Sequence, residues 1–279
     1  MQSNTFGIDY AGQAGPSTAK LAWTAARSRP ALVALLFALA TVAWWSTGVR
    51  MQGMDEGPWT ALGAFGWFTG VWLVMMAAMM VPSVAPTVVL YSRMTTKRSP
   101  LAPLLFTASY LVVWGVFGLL AFALAVAGAE VLDGVLAWED SGREIAGLTL
   151  LVAAAYELTP AKHVCLGRCR RSLGFLLGSW RDGSAGAVRM GAEHGAWCVG
   201  CCWALMASLF ALGLMSIVWM VFSAVVIALE KLLPWRSAAA YGSAAILLVL
   251  GVLLLVAPDA IPALTIPGDH AMPPMDPTM

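Results

Sequence analysis

All five cysteines of the chain (Cys165, Cys169, Cys198, Cys201 and Cys202) and two of its three histidines (His163 and His194) fall between positions 163 and 202. Thiolate and imidazole together are the ligands of soft and borderline metals: copper(I), zinc(II) or iron in iron–sulfur centres. Spacing sharpens the pattern. Met190, His194, Cys198 and Cys201 stand at i, i+4, i+8 and i+11, with Cys202 next to Cys201, which on a helix makes a single stripe. Cys165 and Cys169 form a second i, i+4 pair, and the stretch between can fold the two groups together. The spacing C-x3-C…C-x2-C-C matches neither a zinc finger nor a ferredoxin. Cysteine also packs well as a small apolar residue between helices. The cluster as a whole therefore predicts metal or redox chemistry without naming a reaction. Arg168, Arg170 and Arg171 flank Cys169; their plain reading is a topology signal that touches anionic lipid.

Methionine is the second soft donor. The run MMAAMMVPS pairs Met75 with Met79 and Met76 with Met80 at i, i+4, and Pro82 and Pro86 follow, which should kink a helix and free backbone carbonyls. Met76, Met79 and Met80 are candidate copper ligands, with plain packing as the alternative. Met51, Met54, His270, Met272, Met275 and Met279 lie in segments expected outside the bilayer, where little is available for them to pack against. Glu157 is an ionisable group near the end of an apolar run, and its candidate roles are metal ligand, proton carrier or ion-pair partner of Lys162.

The elements that must position these residues follow from composition. Of 279 residues, 60% are apolar and 11% charged, and the mean hydropathy is +0.79. That excludes a soluble globular enzyme, a disordered chain and a disulfide scaffold. A net charge of +1 with no basic domain excludes a nucleic-acid partner. The expectation is an all-α polytopic membrane helix bundle whose partner is the lipid bilayer. Charge-free gaps run from Arg29 to Arg50, Glu56 to Arg93, Arg98 to Glu130, Glu193 to Glu230 and Arg236 to Asp259, and a sixth, from Glu144 to Lys162, holds only Glu157. A span needs about 20 apolar residues. The stretch 195–229 is too long for one crossing, so a break near Gly213 is expected to make two helices of it, seven spans in all, with six as the alternative. With the N-terminus inside and the C-terminus outside, 14 of the 16 Lys and Arg face inward, leaving Arg50 and Arg143 outside. The domain reading is a polar N-terminal segment 1–29, a transmembrane helical domain 30–257 and a Pro- and Met-containing tail 258–279. The segment 170–180 is too short to span and suits an interfacial helix.

The blocks MMAAMMVPSVAP, YELTPAKHVCLGRCR, HGAWCVGCCWALM and EKLLPW, in this order, resemble a bacterial family of unknown function, domain-of-unknown-function family 2182. Its members are described as predicted metal-binding integral membrane proteins. The resemblance covers about residues 60–235 and implies a metal and a multi-pass place in the bacterial inner (cytoplasmic) membrane. Family members often carry a Met-rich segment before the second helix, here reduced to Met51 and Met54. The first functional expectation is a protein that binds a soft transition metal, copper favoured and zinc or iron open, through the Cys/His cluster, for transport or handling. A membrane-embedded metal- or thiol-dependent redox enzyme is the second, and a non-catalytic accessory or assembly subunit the third. A homo-oligomer or a partner membrane protein is left open. No nucleotide, flavin or HExxH motif is present.

Overall fold

The computed structural model describes residues 30–51, 65–95, 99–131, 143–212, 217–232 and 236–257. Among them the chain is all helix, with no strand: α1 (Pro30–Met51), α2 (Phe65–Thr95), α3 (Ala102–Val131), α4 (Arg143–Glu157), α5 (Pro160–Arg170), α6 (Ser172–Gly178), α7 (Gly183–Leu212), α8 (Ile217–Leu232) and α9 (Arg236–Val256). Among the described residues, four stretches are long and apolar enough to cross a membrane: Pro30–Val49, Phe65–Thr95, Ala102–Gly128 and Ala238–Val256. α4 has 15 residues and α8 has 16, short of a full crossing by themselves. Residues 213–216, where the break near Gly213 is expected, lie outside the described residues, between the bounds Leu212 of α7 and Ile217 of α8. The N-terminal segment 1–29, Met54, the tail 258–279 with its His270, Met272, Met275 and Met279, and the side chain of Met51 lie outside the described residues.

The helices pack in the order α1, α2, α3, α7, α4, α9, with α5 against α7 and α8 meeting α2, α7 and α9. Two local features explain how the site is reached. Pro82 has no N–H to give to the Ala78 carbonyl. The helix nevertheless runs on through Pro82 and Pro86, and the Trp44 indole of α1 donates to that carbonyl at 3.1 Å. The backbone group freed by the proline thus becomes a tie between α1 and α2.

The second feature is the approach of α7 to α3. Gly191 and Gly195 are one turn apart on α7. A Cβ on Gly191 would collide with the main-chain carbonyl of Phe106, and one on Gly195 would lie 3.2 Å from that of Tyr110. Small residues at this spacing let two backbones touch. Their closeness carries His194 and Cys198, on the same part of α7, up to the Tyr110 side chain.

The ELTP block acts as a hinge between helices. α4 ends at Glu157, Thr159 caps α5 with its hydroxyl accepting from the Lys162 amide at 3.3 Å, and Pro160 opens the new helix. The reversal is tight enough that Lys162 reaches back to Glu157.

Candidate metal centre

Three sulfurs converge. One ligand atom each from Cys169 on α5 and from Cys198 and Cys201 on α7 all lie within 4.8 Å of one another, and all three residues are buried. Among the described residues this is the group of His, Cys, Asp and Glu side chains able to close on a single ion. The Cys169 and Cys201 sulfurs are 3.8 Å apart. Sulfurs bound to one ion at about 2.3 Å stand roughly 3.8–4.0 Å from each other in tetrahedral or trigonal geometry. The spacing therefore fits a shared ion. Cys202 is also buried, with its sulfur 3.3 Å from that of Cys201.

Two further groups stand on Cys198. The Tyr110 hydroxyl of α3 is 2.9 Å from its sulfur, and the Lys231 ammonium of α8 is 3.0 Å from it. Lys231 also donates to Ser83 Oγ of α2 at 3.1 Å. A positive charge beside the sulfur complements the thiolate, the form of cysteine that ligates metals. Neither Tyr110 nor Lys231 was singled out by the sequence as part of a site. Lys231 lies within the EKLLPW block, where its signal was a lysine at a helix end; Tyr110 had none.

The other candidates are distributed as follows. His194 is buried next to the thiols in sequence, with its ring 4.8 Å from Phe175, 5.9 Å from Phe106 and 6.0 Å from Tyr110. Its Nδ1 has no hydrogen-bond partner in the protein, an orphaned donor or acceptor at the border of the cluster. Cys165, half-buried, faces Gly200 of α7, where a Cβ would sit 3.0 Å from its sulfur. Burial pushes the Cys165 thiol up from its usual range, with Arg168 pulling the other way. His163 is exposed on α5. It lines a cavity of about 890 Å³ with Arg168, Arg170, Arg171 and Phe175, and the Phe175 ring also packs edge-on against His194. Met76, Met79 and Met80 are buried in the apolar core on α2.

Glu157 has a different environment. Its Oε2 is paired with the Lys162 ammonium, which also holds Glu230 Oε1 at 2.8 Å. The ion-pair role is thus the one the structure displays. Glu230 and Ser243 as further members were not anticipated: nothing in local spacing links α4, α8 and α9. Arg168 stacks over Trp197 at 4.6 Å, and Arg170 donates to the Glu230 main-chain carbonyl at 2.8 Å. At least these two arginines have contacts within the protein beyond any lipid role.

No curated protein and no solved structure shows significant similarity to the chain. A family match does, over residues 69–254, and its description is metal-related, though under a different name from the family that the sequence blocks suggested. The match takes in every helix of the thiol cluster and spans most of the sequence, so the chain belongs to the copper chaperone family PpoB2.

Proposed function

We propose that this protein is a multi-pass membrane protein that binds one copper(I) ion per chain at Cys169, Cys198 and Cys201 and passes it on. Cys202 and His194 border the ion. Tyr110 and Lys231 hold the Cys198 sulfur in place. The observation that carries the reading is the convergence of three buried sulfurs from two helices within 4.8 Å. Soft thiolates select copper(I) over hard cations, and the family description points to the same metal.

Membrane residence is supported by the outward faces of the helices. Trp45, Leu124, Val218 and Val256 are each more than 70% exposed, and similar apolar side chains surround them. A water-facing surface of that kind would be an aggregation hazard, whereas lipid tails match it. The seven-span topology, N-terminus inside, puts the thiol cluster near the inner face of a bacterial cytoplasmic membrane, where thiols stay reduced. α4 and α8, with 15 and 16 residues, then call for a locally thinned bilayer.

Elemental analysis of the purified protein under reducing conditions tests the metal reading. About one copper per chain is expected in the wild type and almost none in the Cys198→Ser/Cys201→Ser variant. Wild-type protein free of metal after copper(I) loading would refute it. A reporter fused to the C-terminus tests the topology, which requires activity on the outer side.

A further inference from the structure

The second buried polar cluster has fewer hydrogens than its oxygen contacts require. Glu157 of α4, Lys162 of α5, and Glu230 and Ser243 of α8 and α9 are all 3% exposed or less. The Lys162 ammonium bonds Glu157 Oε2 and Glu230 Oε1. The Ser243 hydroxyl lies 3.0 Å from the Ala240 carbonyl, 3.2 Å from Glu157 Oε2 and 3.3 Å from Glu230 Oε1. A serine hydroxyl has one hydrogen and can also accept. Three acceptors therefore compete for that hydrogen, and with both carboxylates ionised two of these contacts set bare oxygens against each other.

Glu157 is the worse-served carboxylate. Its Oε1 is buried and has no hydrogen-bond partner in the protein, so an ionised Glu157 would carry its charge with donors on one oxygen alone. Burying a charge without full hydrogen bonding is costly. A proton on Glu157 Oε2 removes the charge from the poorly served carboxyl and one of the two bare contacts: it points at Ser243 Oγ, Ser243 donates its own hydrogen to Ala240, and only the longest contact, 3.3 Å to Glu230 Oε1, is left without a hydrogen. The Lys162 ammonium then pairs with the Glu230 carboxylate. Arg170 reaches the main-chain carbonyl of Glu230 at 2.8 Å, and Lys231, the next residue, contacts Cys198 and Ser83.

We infer that Glu157, Ser243, Lys162 and Glu230 form a proton-binding site inside the helix bundle, with the proton on Glu157. It goes beyond the copper reading and stands without it, although both sites share the last turn of α8.

Infrared difference spectroscopy on the purified full chain in detergent, stepped from mildly acidic to mildly alkaline buffer, reads the proton directly. A protonated-carboxyl C=O band that shifts in D2O is expected. It should be lost in Glu157→Gln, and in Ser243→Ala it should move to the higher frequency of a carboxyl without that acceptor. Ser243→Ala decides the matter if Glu157→Gln fails to fold. Absence of the band in wild-type protein at every pH, or a band unchanged in Ser243→Ala, overturns the inference. So does loss of the band when sodium chloride replaces choline chloride at fixed pH, because the ligand would then be a metal monocation. Copper content measured on the same samples keeps this outcome separate from that of the metal reading.

Discussion

The last turn of α8 has two sides with opposite designs. Lys231 faces a set of like groups, the thiols of Cys169, Cys198, Cys201 and Cys202, brought together from two helices. Glu230 faces unlike groups, Lys162 and Ser243, with Glu157 beyond them. In the first, soft donors converge and what they lack is a soft cation to share. In the second, the Lys162 and Glu230 charges already face each other, and removing either leaves the other stranded. Convergent ligands make a place for something else; opposed charges chiefly hold each other. The thiol side should therefore respond to mutation in what it binds, and the charged side in whether the bundle stands.

Substitutions can sharpen or break that contrast. The largest effect belongs to the thiol side: Cys198→Ser with Cys201→Ser should remove nearly all bound copper while the thermal midpoint stays close to that of wild type. A collapse of folding there would show the thiols to be packing residues. Next is Lys162→Met, which leaves the buried Glu230 carboxylate without its cation and should cost about 3–5 kcal/mol of stability, read as a lowered thermal midpoint with the copper content of the folded fraction unchanged. Lys231→Met should weaken copper(I) binding by roughly 10–100-fold, as loss of a group that orients a ligand does, measured by competition with a chromophoric chelator. Met79→Leu, a near-isosteric change in the core, should cost less than about 1.5 kcal/mol and leave copper stoichiometry as it is. A large loss of copper in that variant would instead make the methionine stripe part of the ion's path.

The cysteines and the methionines differ in how far sequence spacing could take them. Both stripes follow helical periodicity, and both are buried. The cysteines of α7 meet a thiol from another helix, Cys169, at a sulfur–sulfur distance of 3.8 Å; Met76, Met79 and Met80 are buried in the same core cluster. Periodicity reports that residues share a face; it does not report what that face meets. For the same reason Cys165, four residues before Cys169, reads as its equal in the sequence. In the structure it is half-buried over Gly200, outside the triad.

What the amino-acid order determined here is local and compositional. Apolar runs of the length of a bilayer, the helix stop and restart around Thr159 and Pro160, and the soft-ligand stripe on α7 all depend on residues within a few turns of one another. Only the tertiary structure decided which of those donors share an ion-sized space, that Tyr110 and Lys231 stand on Cys198, and that Glu157 and Glu230 face each other through one lysine. These contacts join residues 32 to 88 positions apart, except for the short return from Lys162 to Glu157. They depend on how closely α7 can approach α3 and where α8 comes to rest, and that is set by the packing of whole helices.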